Sequence, residues 1–220
     1  MFIELVEHQT ALHHKLNEQL KPDKLLINKN HYNTVRIEWL KSMFPAATIV
    51  AMVRHPLANV FSLKKKFMEH NHRGFAPEEH WWGVKPSGWR QLIEPDDLAS
   101  QLAHQWLRVN QSIIDHLPLV DQVVCYHRLC KNTAHVLQEV LLGFGIKPVL
   151  PDHPLKCLDD EYLTGSRLLS KNKEFHQSGF ELEINNESQE IEPLKPSEIA
   201  VIEDVCFPLW QQLKSHHDET

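Results

Sequence analysis

Three short polar groups along the chain contain residue types that bind anions and move protons. They are Lys29 to Asn33, Arg54 to Pro56 and Tyr126 to Arg128. An arginine guanidinium can bind a phosphate through two parallel hydrogen bonds, and an imidazole titrates near neutral pH. These side chains would suit a polyanionic ligand if the fold brought the three groups to one place.

Each polar group follows a short apolar run that predicts a strand, namely Lys24–Asn28, Thr48–Val53 and Gln122–Tyr126. The second run does not alternate polar with apolar residues, which is typical of a parallel strand covered on both faces. Spacing, caps and breakers predict five helices: Thr34–Met43 capped by Asn33, Leu57–Met68 after Pro56, Asp97–His116, Thr133–Leu142 closed by Gly143, and Ser197–Lys214.

Strands that alternate with helices predict an α/β fold with a mainly parallel sheet. In open sheets of this kind, ligands bind beyond the carboxyl ends of the strands. The three polar groups all lie at such ends, so we expect them to meet at one edge of the sheet.

The composition predicts one soluble globular domain over residues 1–220. Apolar residues make up 42% of the chain, and 23 basic against 29 acidic side chains give a net charge of −6, which argues against a nucleic-acid partner. A local cluster such as Lys64-Lys65-Lys66 can still attract an anion. The first residues do not match a signal peptide, and the longest near-apolar run, Ala46–Val53, is too short to span a membrane.

Cysteine and histidine usage favours a cytoplasmic protein without a metal. The four cysteines form no C-x-x-C pair, which favours reduced thiols. Sixteen histidines raise the possibility of a metal site, but the pairs His13-His14, His70/His72 and His216-His217 match no zinc-ligand spacing. A histidine-rich solvated surface is the alternative, and the spacing favours it.

The order of motifs is similar to that of the sulfotransferase family, in its bacterial branch. Residues 26–40 read LINKNHYNTVRIEWL, in which a lysine just after a strand precedes an Asn-x-x-Arg-Ile helix opening. A Phe-Pro-x-Ala turn begins at Phe44. Arg54-His55-Pro56 then precedes Ser62 at the spacing seen in the family. Gln105-Trp106 and the strand-to-helix turn at Tyr126 extend the resemblance over residues 25–145 or so.

This resemblance implies a P-loop-NTPase-like fold and a sulfotransferase that takes a sulfuryl group from 3′-phosphoadenosine 5′-phosphosulfate. The acceptor would be a hydroxyl or amine of a small molecule or glycan. By the same resemblance Arg54 and Ser62 would bind the 3′-phosphate, and Lys29 would lie near the transferring group. Tyr126 would lie by the adenine, although His127-Arg128 replaces the acidic pair that often follows this tyrosine in the family.

His31 stands two residues after Lys29, as the catalytic histidine does in the cytosolic branch of the family. It would act as general base toward the acceptor. The alternative is a polar residue that shapes a strand-end turn. A further open choice concerns the Trp-rich loop at residues 70–96. Its tryptophans could form a lid over the acceptor, or a satellite hydrophobic cluster beneath a long loop.

One departure from the family concerns the loop that binds the 5′-phosphosulfate through backbone N–H groups. The family has a Ser-Gly-Thr loop there, whereas the first glycine of this chain is Gly74 and residues 1–23 read as a helical lead-in. We therefore expect the chain to lack the first, central strand of the sheet, and to be inactive and marginally stable by itself. It would represent a truncated reading frame, a degenerate paralogue or one half of a split protein. In the last case a second chain would supply the missing strand and loop.

Three functions remain open on these residues. The first is a sulfotransferase, and the second is a non-catalytic module that binds a 3′-phosphorylated nucleotide or a partner. The third is a nucleotide kinase related through the P-loop core, against which the absence of a G-x-x-x-x-G-K-[ST] motif counts.

Overall fold

The computed structural model describes residues 27–68, 81–94, 96–147 and 193–218. Two strands, β1 (Val50–Val53) and β2 (Gln122–Cys125), form a small parallel sheet. Six α-helices accompany the sheet in these ranges: α1 (Ile37–Met43), α2 (Pro56–Met68), α3 (Leu98–Asp115), α4 (Tyr126–Lys131), α5 (Thr133–Gly143) and α6 (Pro196–Asp218). Single 3₁₀ turns lie at His31–Val35, Trp89–Leu92 and Leu117–Leu119. The protein is thus a helix-rich α/β structure.

The two strands begin and end together. Val50 lies opposite Gln122 and Val53 lies opposite Cys125, in the parallel orientation predicted from the sequence. The Asp121 carboxylate fixes the start of the pairing, because it accepts hydrogen bonds from the Ile49 N–H at 2.7 Å and from Lys41 Nζ at 3.3 Å. The residues that follow the two strands are therefore held side by side.

The prediction that both faces of β1 are covered is wrong. Val50 and Met52 are 36% and 51% exposed, whereas Ala51 and Val53 are buried. The buried face packs against α3 and α6, whose apolar side chains form one core with it, among them Leu102, Trp106, Ile202 and Leu209. One side of β1 thus contributes to the core and the other side does not.

The predicted strand Lys24–Asn28 lies mostly outside the described residues, and its last two members, Ile27 and Asn28, are exposed and irregular. Two strands are too few to test a P-loop-NTPase-like order, so that part of the fold stays a prediction. The predicted lead-in at residues 1–23 also lies outside the described ranges.

The first helix begins later than predicted, and Asn33 is not its cap. The Asn30 side chain accepts a hydrogen bond from the Tyr32 N–H at 3.0 Å and starts the 3₁₀ turn His31–Val35. Arg36 then leaves helical geometry with φ −135°, and α1 starts at Ile37. The Asn30 cap thus starts a separate 3₁₀ turn ahead of α1.

The helices with the clearest apolar spacing confirm the sequence interpretation. Pro56 is the first residue of α2, and Asp97 caps α3 by accepting a hydrogen bond from the Ser100 N–H at 3.0 Å. Gly143, the predicted stop of α5, is instead its last helical residue. Gly145, with φ 71°, ends the helix by the left-handed turn that glycine favours.

A buried ion pair joins α2 to α6. Lys64 Nζ donates to both carboxylate oxygens of Glu198, at 2.8 and 2.9 Å, and the side chains are only 9% and 19% exposed. Glu198 also accepts from the backbone N–H of Lys195 at 2.8 Å, so it closes the first turn of α6. Burial by itself raises the pKa of Glu198, but these hydrogen bonds outweigh burial and hold it below its usual value. Lys64 is thus occupied within the core and does not serve the predicted anion-attracting cluster.

Candidate functional site: the joined ends of β1 and β2

The carboxyl ends of the two strands bring Arg54 and Tyr126 together. Because Val53 and Cys125 are paired, the next residue of each strand leaves the sheet at the same place. The Arg54 guanidinium carbon lies 5.5 Å from the centre of the Tyr126 ring, within the range of a cation–π contact. Two of the predicted site residues, 72 positions apart by their numbers, therefore share one site.

Arg54 is partly withdrawn from water. Burial lowers its pKa from the usual value, while the Tyr126 hydroxyl and the Cys130 thiol act in the opposite direction. A guanidinium stays protonated at physiological pH in any protein, so burial does not neutralise it. Instead, an anion placed beside it would be bound more strongly than the same pair in water.

The turn that carries Arg54 is fixed by neighbouring elements. Trp106 Nε1 on α3 donates to the Arg54 carbonyl at 3.1 Å, and the Asn59 N–H donates to the His55 carbonyl at 3.0 Å, which starts α2. The amino-terminal end of α2 therefore points into the same region, where its backbone dipoles favour negative charge. A single arginine between a strand and a helix start is an anion-binding arrangement.

Cys130 is a member of this site that the sequence interpretation missed. It lies four residues after Tyr126 on α4, so both side chains occupy one face of that short helix, and it acts electrostatically on Arg54. The four-residue spacing from Tyr126 could have indicated this position, but only if residues 126–131 had been predicted to be helical.

Ser62 lies two turns into α2 and is half-buried. No hydrogen bond joins it to Arg54 in the described part of the chain. The role of Ser62 in binding an anion beside Arg54 therefore stays a prediction.

Lys29 and His31 lie on a separate turn from Arg54. Both are exposed, and the His31 ring packs 4.5 Å from the Tyr32 ring at the start of the 3₁₀ turn. Tyr32 Oη donates to the Gly83 carbonyl at 3.3 Å, so this turn is tied to the Trp-rich segment. The turn also packs on α3.

Contrary to the prediction, the Arg128 side chain does not join Arg54 at the strand ends. Its guanidinium forms an ion pair with Glu139 on α5, and the side chain is exposed. The reason is helical geometry: Tyr126 and Arg128, two positions apart on α4, point in different directions.

Two buried glutamines of α3 hold the described part of the Trp-rich segment. Gln101 Oε1 accepts from the Glu94 N–H at 3.0 Å, and Gln105 Nε2 donates to the Trp82 carbonyl at 2.7 Å. Trp81 and Trp89, 1% and 9% exposed, pack with their ring centres 5.5 Å apart. Residues 81–94 are thus a packed wall on α3, as the cluster interpretation expects, while the lid interpretation for residues 70–96 depends also on residues outside the described ranges.

Among the described residues, no group of three or more His, Cys, Asp or Glu side chains is arranged to hold a metal ion. In the same ranges no helix has both the length and the apolar composition needed to cross a membrane.

Acid conditions should test the surroundings of His55, the residue after Arg54. Burial, and then the charge of His127, lowers the pKa of His55 to about 4. Because the unfolded ring titrates near 6.5, the neutral ring stabilises the fold fully above that pH, and this contribution is lost as the pH falls toward 4. Allowing for partial exposure of the ring, we expect this effect to lower the free energy of unfolding by about 1–2 kcal/mol between pH 7 and about pH 4.5.

Urea unfolding at pH 7 and at pH 4.5, compared between the parent and His55→Phe, would measure this loss. The difference between the two proteins then reports His55 together with its electrostatic coupling to His127. A pH dependence identical in the two proteins would contradict the assignment of a buried neutral ring.

Comparison with known proteins identifies one family. A family model described as the sulfotransferase family matches residues 4–149, about two thirds of the chain. No curated protein and no solved structure gives a match. The matched range contains β1, β2, Arg54 and Tyr126.

Proposed function

Because the chain belongs to the sulfotransferase family, we propose that its strand-end site binds the 3′-phosphate of 3′-phosphoadenosine 5′-phosphosulfate. The observation that carries this proposal is the partly desolvated Arg54, stacked on Tyr126 where β1 and β2 end together. A buried guanidinium beside a helix start suits a dianionic phosphate, and an aromatic ring beside it suits a purine.

The bound donor would supply the sulfuryl group that is transferred to a hydroxyl or amine of a small molecule or glycan. In this proposal Arg54 and Ser62 bind the 3′-phosphate and Tyr126 contacts the adenine. Lys29 lies near the sulfuryl group, and His31 accepts the proton that the acceptor loses. The exposed position of His31 on its turn fits this last role, because an acceptor can reach the ring from solvent.

Replacing Arg54 by alanine should weaken the binding of adenosine 3′,5′-bisphosphate by about 1.5–3 kcal/mol, the range for hydrogen bonds to a charged group. Isothermal titration calorimetry on the parent and variant measures this difference. Arg128→Ala is the matched control, because that guanidinium binds Glu139 instead of facing the site. Equal affinity in the parent and in Arg54→Ala would remove Arg54 from the site.

Cys130 offers an independent readout of the same site. Since its thiol acts electrostatically on Arg54, bound bisphosphate should slow its alkylation. Cys206, whose thiol is buried with a pKa raised to about 12, should stay unmodified as long as the protein is folded. The rates can be separated by peptide mass. Alkylation of Cys130 at one rate with and without bisphosphate would place the ligand elsewhere.

A second candidate function is a non-catalytic module that binds a 3′-phosphorylated nucleotide or a second chain. The specific observation in its favour is the absence of glycine from residues 1–73, where the family's 5′-phosphosulfate loop is expected. A partner that brings such a loop would complete the site. Clear sulfuryl transfer by the chain alone would exclude this second function.

A further inference from the structure

Arg54 and His55 are adjacent in the chain but have different partners. Along β1, Ala51 and Val53 face the core and Val50 and Met52 do not. Continuing this alternation past the strand places the Arg54 and His55 side chains on opposite sides. Arg54 contacts Tyr126, whereas His55 lies against two aromatic rings of α6.

The rings around His55 form an aromatic box from a distant part of the chain. The centre of the His55 ring lies 5.6 Å from that of Phe207 and 5.1 Å from that of Trp210, with interplanar angles of 88° and 68°. Edge-to-face contacts of this kind are stabilising and favour one ring orientation. The box therefore fixes the residue that directly follows Arg54.

Building on the proposed function, we propose that His55 is a positioning residue for the anion site, which acts through Arg54 by anchoring the strand-end turn to α6. Backbone contacts also hold the turn, namely the pairing of Val53, the Trp106 bond to the Arg54 carbonyl and the Asn59 bond to the His55 carbonyl. The contacts of the His55 ring with α6 add a side-chain anchor that resists rotation of the turn about the strand axis.

The charge state of His55 fits a packing role. Burial, followed by the neighbouring His127, keeps its pKa near 4, so the ring is neutral at pH 7. Among the described residues, His127 on α4 acts on it electrostatically and Arg54 adjoins it in the chain, while α6 faces it with the uncharged rings of Phe207 and Trp210. A neutral ring in an aromatic box can be replaced by phenylalanine with little change in shape, which provides a matched variant.

Binding of adenosine 3′,5′-bisphosphate at pH 7 tests this inference. We expect His55→Ala to weaken binding about tenfold, less than the roughly hundredfold that a displacement of one ångström can cost at a reacting centre. His55→Phe should recover most of the affinity, and Phe207→Ala, which opens the box from the α6 side, should reproduce the loss. Urea unfolding of each variant establishes that it is folded under the binding conditions.

A double-mutant cycle separates positioning from a general structural role. In an Arg54→Ala background, His55→Ala should cause no further loss, because its effect passes through Arg54. Full affinity in His55→Ala, or an equal further loss in the Arg54→Ala background, would overturn the inference and leave the proposed function standing. Failure of the parent to bind the bisphosphate would instead refute the proposed function.

Discussion

The 220-residue chain should give no detectable sulfuryl transfer in an assay with labelled donor and a panel of phenol, alcohol and sugar acceptors. The physical reason is that the chain lacks the glycine-containing loop that holds the 5′-phosphosulfate in the family. In the family its backbone N–H groups stabilise the leaving group, and the first 73 residues of this chain contain no glycine, the residue that allows the close backbone approach such a cradle needs. The loss of even one such donor costs about 10²–10³ in rate.

Two controls make this expectation sharp. The same preparation should bind adenosine 3′,5′-bisphosphate in an Arg54-dependent manner, which would establish that the lack of transfer does not reflect unfolding. His31→Ala distinguishes the activity of the chain from contamination, since removal of a general base costs on the order of 10²–10⁴ in rate. Clear transfer that disappears in His31→Ala would contradict the expectation, and residues other than a glycine loop would then have to hold the phosphosulfate.

Replacing Lys64 by alanine should lower the free energy of unfolding by about 2–4 kcal/mol. The substitution leaves the Glu198 carboxylate in the core without its cation, and breaking a buried pair in this way is far more costly than losing a surface pair. We place the value slightly below the range for fully buried pairs because Glu198 keeps some contact with solvent. Urea denaturation at pH 7 measures the change.

The chain provides matched controls for this prediction. Lys214→Ala removes a lysine from the exposed side of α6 and should change stability by about 0.5 kcal/mol or less. The double variant Lys64→Met/Glu198→Leu should recover much of the loss, because two apolar side chains need no desolvation of charge. A Lys64→Ala protein as stable as Lys214→Ala would contradict the structural role of the pair.

Local sequence signals predicted the parts of the fold that depend on neighbouring residues. Apolar spacing located α3 to within one residue at each end, and Asp97, the predicted first residue, is its cap. Parallel pairing brings the carboxyl ends of the two strands to the same edge of the sheet. The proximity of Arg54 and Tyr126, which follow these ends, was therefore predictable without side-chain detail.

Features set by distant partners were not predictable from local pattern. The burial of Lys64 depends on Glu198, 134 residues later, so a run of three lysines looked like an exposed cluster. His55 likewise depends on Phe207 and Trp210, and the direction of Arg128 depends on Glu139. The uncovered face of β1 was misjudged for the same reason, since a strand without alternation does not reveal how many layers pack on it.

The pairing of β1 with β2 also bears on when the site appears during folding. The contact that starts this pairing, between Ile49 and Asp121, closes a loop of 72 residues. Closure of so long a loop costs entropy before its contacts repay it, and non-local pairing of this kind slows folding. Neither strand end carries both Arg54 and Tyr126, so a nascent chain has no anion site until residues beyond 126 have been synthesised and the strands have met. The proposed site would consequently form late in folding, and a nucleotide that binds it would favour the closed loop over every earlier state.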